Sequence, residues 1–252
     1  MNELVSIVMP VYNAEKFITA TMDCVVAQTY ENWELLMVED SSKDATVTVI
    51  ENYIRERQET RIRLITSPDK LGAARARNKA LTEAKGRFIT YLDADDLWNP
   101  DKLEKEIAFL TSKEAAFAFT GYEFGDENAV GTGKVVHVPE KLTYKQALKN
   151  TTIFTSTVMF DTEKIEKSLL EMPIIESEDT ALWWKILRKG YAAYGLDENL
   201  VTYRRPSKSL SSNKFRAIRR IWNLYRKAEK LDVFRSAWYF CFWAFRAVKR
   251  RV

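Results

Sequence analysis

The chain has few of the residues that support covalent or metal chemistry in many enzymes. Its two cysteines, Cys24 and Cys241, lie far apart, without a C-x-x-C motif or a Cys/His cluster. That excludes a disulfide framework and a thiolate zinc site, and points to a reduced, cytoplasmic setting. There is one histidine, His137, so His-rich metal centres are excluded and any Ser-His-Asp or Cys-His mechanism would rest on that residue alone. It falls in the alternating run Lys134 to Pro139, which reads as a solvent-facing or packed strand position. The first residues run directly into an apolar strand, with no basic n-region, apolar h-region or cleavage site, so no secretion signal is expected. No G-x-G-x-x-G follows that strand and no G-x-x-x-x-G-K-[ST] occurs anywhere, which disfavours a dinucleotide enzyme or a P-loop NTPase. Chemistry in this chain should rest on carboxylates.

The 252 residues are 46% apolar, enough to bury the core of one large or two-lobed domain. Strand-like and helix-like patterns alternate four times: Val5 to Asn13 then Ala14 to Gln28, Trp33 to Val38 then a helix through Ile54, Ile62 to Ile65 then Ala73 to Ala84, and the strand Phe88 to Leu92. Such alternation predicts an α/β fold, Rossmann-like, with a mostly parallel sheet flanked by helices. In that arrangement the polar loops Tyr12/Asn13, Glu39/Asp40, Asp69 to Gly72 and Asp93/Asp95 converge on one crevice beyond the strand ends. Beyond Trp98 the alternation breaks. Leu103 to Leu110 and Tyr144 to Lys149 read as helices, Ala115 to Tyr122, Phe154 to Phe160 and Leu200 to Tyr203 as strands, and Gly125 to Gly133 as a turn-rich link. The expected organisation is a nucleotide-binding half over 1–100, an acceptor-side half of the same domain over 101–212, and a basic helical tail over 213–252.

The strand Phe88 to Leu92 ends in Asp93, Asp95 and Asp96. Two carboxylates two residues apart repel one another, and Asp93 with Asp95 suits a hard divalent ion that also bridges phosphates. Asp96 is expected to cap the following helix. Asp40 is placed to accept from a base N–H or a ribose hydroxyl, because Asp44 or Ser42 can cap the helix after it. Gly72 permits a close backbone approach, the helix it opens offers N–H groups to phosphate, and Arg75 and Arg77 add charge. A second acidic group, Glu178-Asp179, stands just before a helix expected over Thr180 to Arg188, where the dipole favours an ionised carboxylate fit to act as a general base. Arg204-Arg205 and the serines that follow read as a lid over a diphosphate or as a linker.

Twelve Lys and Arg from Lys214 onward face only Glu229 and Asp232, a net of +10, which leaves −6 on the first 213 residues of a chain whose total is +4. The aromatic run around Trp238, Phe240 and Trp243 is too short to span a bilayer, which needs roughly 20 apolar residues, yet too aromatic for a solvated end. It suggests a peripheral contact with anionic membrane, or packing on the catalytic lobe or a second subunit. The acidic body and the absence of a recognised motif argue against nucleic acid.

As an ordered set, Ser6 to Asn13, Val38 to Ser42, Gly72 to Asn78, Leu92 to Asp96, Glu178-Asp179 and Tyr203-Arg204 resemble the family 2 glycosyltransferases of the GT-A fold. The resemblance covers roughly residues 3 to 212, and it is nearest to bacterial transferases of teichuronic acid, capsule or O-antigen assembly. It implies inverting transfer from a nucleotide diphosphate sugar, usually UDP-linked, to a glycan or lipid-linked glycan acceptor, with Mg²⁺ or Mn²⁺ on the diphosphate. On that likeness Asp40 and the Pro10, Val11 and Tyr12 backbone hold the base, Asp93 the ribose and metal, and Asp95 the metal. Asp179 would deprotonate the acceptor hydroxyl, with Glu39, Gly72, Arg77, Glu178 and Arg204 around the substrates. The chain departs from the common pattern at Glu39, where aspartate is more usual, and at Ser42, before which many members carry glycine. Transfer to a polyprenyl phosphate and nucleotide-sugar binding without catalysis are the alternatives. An enzyme of this type would work on the inner face of the cell membrane, and an oligomer is possible.

Overall fold

A computed structural model describes residues 2–205 and 214–249. One sheet runs through both expected halves. Strands β1 (Val5–Val11), β2 (Trp33–Glu39), β3 (Ile62–Thr66) and β4 (Phe88–Tyr91) alternate with helices α1 (Ile18–Val26), α2 (Thr46–Arg57) and α3 (Ala73–Glu83). After β4 come β5 (Leu97–Trp98), α4 (Lys102–Ser112), β6 (Phe117–Gly125), β7 (Gly131–Val136), β8 (Lys141–Leu142), α5 (Tyr144–Ala147), β9 (Val158–Asp161), α6 (Glu178–Arg188) and β10 (Ala193–Arg204). The strand order is β3-β2-β1-β4-β9-β6-β10-β5, with β7 on β6 and β8 on β10.

The sheet is buried on both faces, and the chain alternates accordingly. Val5, Ile7, Met9 and Val11 of β1 pack with Ile18 of α1, Ile50 of α2 and Leu103 of α4, whereas Val8 packs with Ala76 of α3 and Leu182 of α6 on the other side. β1 pairs parallel with β2 and β4, and β2 with β3. β9 is inserted antiparallel to both β4 and β6, and β10 runs parallel to β6. Strands β1 to β4, β6 and β10 therefore share one direction, and all end on the same edge. Being reversed, β9 brings its beginning to that edge, so Thr155 and Ser156 in the 3₁₀ turn before it stand beside the end of β4.

Several expectations shift here. Phe154 to Phe160 is a turn followed by a strand, because the Thr155 and Ser156 side chains turn to polar partners on the ligand edge. His137 lies just past β7, exposed, with its Nδ1 3.1 Å from an Asp197 oxygen. Ser41, directly before Ser42, has φ +60°, a left-handed conformation in which glycine is at ease. Both cysteines are free.

The tail forms α7 (Lys214–Asn223), a π-helical turn at Leu224–Ala228, and α8 (Val233–Lys249). Tyr225 stacks on Trp184 of α6 at 5.2 Å between centroids, and Tyr239, Phe240 and Trp243 of α8 pack against the same core.

On α4, Lys102 and Glu106 are fully buried, 2.5 Å apart, and Glu106 Oε1 has no partner among the described residues. Burial pushes the Glu106 carboxyl up to about 7 and the Lys102 ammonium down. Unfolded, a glutamate loses its proton near 4.3 (about its ordinary pKa), so the folded chain binds more protons between there and about 7. This site's contribution to stability accordingly falls as pH rises through that window. Lys102→Met alone should cost about 3–5 kcal/mol by leaving a buried carboxylate unpaired, whereas Lys102→Met with Glu106→Leu should be near neutral or stabilising. Urea unfolding at several pH values measures both, and a double variant as unstable as the single one would refute the account.

Candidate active site

At the shared edge, the ends of β1, β2 and β4 and the start of α3 enclose a cavity of about 500 Å³. Of the residues singled out from the sequence, Pro10, Val11, Tyr12, Asp40, Gly72, Arg77, Asp93 and Asp95 line it. Asn13, Phe17 and Lys70 complete much of the wall. Lys70 Nζ sits 3.9 Å from the Tyr12 ring centroid, and its hydrogen bond and charge hold the Tyr12 hydroxyl below its ordinary pKa. Nothing in the periodicity marks Lys70; its place in the turn-rich loop before Gly72 was the only signal.

The loops are fixed by side chains that cross between them. Asn13 N–H donates to Ser42 Oγ at 3.0 Å and Lys43 N–H donates to Asn13 Oδ1 at 2.8 Å, tying the β1 loop to the β2 loop. Glu39, buried, accepts from the Ser42 N–H and is not among the cavity-lining residues. Asp44 accepts from Thr46 N–H at 3.1 Å at the start of α2, which leaves Asp40 for another task. Both Asp40 oxygens accept from the β3–α3 loop, one from Leu71 N–H and the other from Gly72 N–H at 2.9 Å. Gly72 itself has φ +76° and ψ 159°, a conformation open in practice to glycine alone. The N–H groups of Leu71 and Gly72 are thus committed to Asp40, and any phosphate would meet the first N–H groups of α3 proper, which have no intrahelical acceptor.

Arg77 is the centre of charge. Buried, its guanidinium donates to Asp93 Oδ1 at 2.5 Å through one nitrogen and to Glu178 Oε1 at 2.9 Å through another. One cation on α3 thereby joins the carboxylate at the end of β4 to the first turn of α6. Arg75, two residues earlier, is exposed on the solvated face.

α6 begins at Glu178 and not at Thr180, so Glu178 and Asp179 stand in its first turn, behind Ser177 at φ +62°. The left-handed Ser177 turns the chain sharply enough for Glu178 to reach Arg77. Burial raises the Glu178 carboxyl above its ordinary range, against the pull of Arg77. Asp179 accepts from Thr180 N–H at 2.6 Å and from Thr155 Oγ1 at 3.2 Å. It stands beside the cavity, outside its lining, close enough for its charge to act on Arg77.

Asp96 does not cap a helix. The following helix starts only at Lys102, and Asp96 turns fully inward to accept from Ser156 Oγ at 2.5 Å and Arg204 N–H at 3.2 Å. Ser156 Oγ in turn accepts from Asp93 N–H at 3.1 Å. Arg204 is buried, with Nε on the Asp95 carbonyl at 2.7 Å and Nη1 on the Glu127 carbonyl at 2.8 Å, so it supports the loop from behind. Positions 206–212, read from the sequence as a lid or linker, lie outside the described residues.

Burial, and next the charge of Asp93, push the Asp95 carboxyl up to about 6. A carboxylate raised by burial and by a second acid is short of a cation. Asp93 and Asp95, both on the cavity wall, fit a hard divalent ion. Among the described residues no group of three or more acid, histidine or cysteine side chains gathers to hold a metal ion.

The family model for glycosyl transferase family 2 matches residues 6–167. A Bacillus subtilis protein named for teichuronic acid biosynthesis, the glycosyltransferase TuaG, is 41% identical over 250 residues, spanning 99% of this chain and 98% of the relative. The Escherichia coli UDP-Glc:alpha-D-GlcNAc-diphosphoundecaprenol beta-1,3-glucosyltransferase WfgD is 40% identical over 222 residues, spanning 88% of this chain and 85% of that one. Among solved structures, S. aureus TarS 1-349 in complex with UDP-GlcNAc is similar with a TM-score of 0.69 at 19% identity, over 96% of this chain and 71% of that one. The mannosyltransferase PcManGT from Pyrobaculum calidifontis, in complex with GDP-Man and Mn²⁺, is similar with a TM-score of 0.73 at 18% identity, over 95% of this chain and 72% of that one. With the parallel sheet edge, its carboxylates and these likenesses in place, the chain belongs to the family 2 glycosyltransferases and has the GT-A fold.

Proposed function

We propose that the enzyme transfers a sugar from a UDP-linked donor to an acceptor hydroxyl with inversion, in the assembly of a bacterial cell-surface polysaccharide at the inner face of the membrane. The observation that carries this reading is the bridge through Arg77, which ties a cation-seeking carboxylate pair on the cavity wall to a helix start bearing a separate carboxylate. Relatives named for teichuronic acid synthesis and for transfer to a diphosphoundecaprenol-linked sugar support the pathway and a lipid-linked acceptor. The structural neighbour holding UDP-GlcNAc supports the donor class.

In this mechanism the backbone of Pro10 to Tyr12 and the Asp40-braced loop receive the base, with Tyr12 and Lys70 on the cavity wall. Asp93 and Asp95 would hold Mg²⁺ or Mn²⁺, which when bound neutralises the diphosphate and assists its departure. Arg77 holds Asp93 in place through its hydrogen bond and opposite charge. Asp179, in the first turn of α6, takes the proton from the acceptor hydroxyl, held by Thr155 on one oxygen and its own helix on the other. A carboxylate pair that would hold a cation against the leaving diphosphate, and a separate base for the acceptor, suit an in-line displacement at the anomeric carbon. A panel of nucleotide sugars, assayed for binding and hydrolysis with and without divalent metal, tests the donor class directly.

Asp95→Ala should abolish metal-dependent transfer; full activity in chelator would exclude the metal role. Asp179→Asn should lower the transfer rate by about 10²–10⁴-fold with donor affinity nearly unchanged. A large loss of UDP binding by calorimetry would instead assign Asp179 to the donor site. Arg77→Met should weaken UDP binding about tenfold or more, corresponding to at least ~1.4 kcal/mol, with Arg77→Lys intermediate and Arg75→Met near wild type. Equal effects at positions 75 and 77 would show that only bulk charge matters.

A further inference from the structure

Helix α8 carries two opposed apolar faces, and the lobe covers only one. Ser236, Tyr239, Phe240 and Trp243 form the inner face: Ser236 is fully buried, Phe240 meets Trp222 edge-on at 5.9 Å, and Trp243 Nε1 donates to Thr151 Oγ1 at 3.2 Å. On the opposite side Phe234, Trp238, Cys241 and Phe245 recur every three or four residues, one stripe of a helix with about 3.6 residues per turn. Phe234 is 88% exposed, Trp238 60% and Phe245 72%. So much uncovered aromatic surface in one stripe marks a contact with something other than water.

The charges around the stripe select the partner. Arg219, Lys227, Lys230, Arg235 and Arg246 are exposed on the same tail. Its two acids are already engaged: Glu229 with Arg188 at 2.6 Å and Tyr144, Asp232 with Arg235 at 3.3 Å. A second copy seated face to face would bring these like charges together, whereas an anionic surface would complement them. No helix among the described residues is long and apolar enough to cross a membrane. A helix with an aromatic stripe beside arginines instead suits the plane between lipid headgroups and acyl chains.

We infer that α8 is a two-sided adaptor: its Tyr239/Phe240/Trp243 face is fastened to the catalytic lobe, and its Phe234/Trp238/Phe245 face rests in the surface of an anionic lipid bilayer. This rests on the membrane-face placement proposed above and gives it a contact; its test needs neither donor nor acceptor, so the sugar-transfer reading and the lipid contact can fail separately.

Full-length protein is sedimented with vesicles of phosphatidylglycerol and phosphatidylcholine, and with phosphatidylcholine alone, at low and high salt. The wild type should pellet with the anionic vesicles, at least tenfold more weakly with the neutral ones, and less at high salt. Phe234→Ser with Trp238→Ser and Phe245→Ser should cut anionic-vesicle binding at least tenfold while circular dichroism and melting temperature stay at wild-type values, since all three side chains are exposed. Arg235→Glu with Arg246→Glu should weaken binding by the same route. Triple-variant binding equal to wild type, or salt-independent binding to neutral vesicles, would overturn the inference. So would sedimentation velocity showing a wild-type dimer that the triple variant turns into a monomer, which would make a second copy the occupant.

Discussion

The site depends on one buried guanidinium. Asp93, Asp95, Glu178 and Asp179 come from two distant parts of the chain, and bringing so much negative charge to one sheet edge is unfavourable without compensation. Arg77 supplies it from a third element, with one nitrogen for Asp93 and another for Glu178. An arginine suits this place better than a lysine because its planar, divided donors can serve two carboxylates at once and stay charged when buried. The remaining negative charge, centred on Asp95, is what a divalent ion would answer.

Around that clamp, the loops are held by acids that bond to the chain itself. Asp40 grips the backbone of Leu71 and Gly72, Glu39 grips Ser42, and Asp96 ties Ser156 to the backbone of Arg204. Each carboxylate satisfies backbone or hydroxyl donors that would otherwise be stranded at the end of a strand. The result is a cavity whose wall is cross-braced by the chain's own hydrogen bonds.

Reading the residues alone was most informative where periodicity and loop position carry the information. The alternation of β1 to β4 with α1 to α3 follows from apolar spacing, and a parallel sheet then forces the loops at Tyr12, Asp40, Gly72 and Asp93 onto one edge. The second half is different in kind. Short apolar runs such as Val158 to Phe160 do not encode their neighbours, so the antiparallel insertion of β9 between β4 and β6 has no local signature. For the same reason the roles of Ser156 and Thr155 are invisible in sequence, and Asp96 reads as a cap when its partners lie 60 and 108 residues away. The aromatic tail is ambiguous for another reason: with large rings all round α8, only the packed structure separates the face that docks from the face that does not.

Because α8 is bolted to the lobe by its inner face, whatever holds its outer face also sets the attitude of α6, through the stack of Tyr225 on Trp184. A protein fixed in this way would look for a lipid-anchored acceptor by lateral diffusion in two dimensions, not three. Encounter would then be governed by surface density and by the height of the α6 start above the surface, an effective concentration set by geometry and independent of how dilute the acceptor is in the cell as a whole.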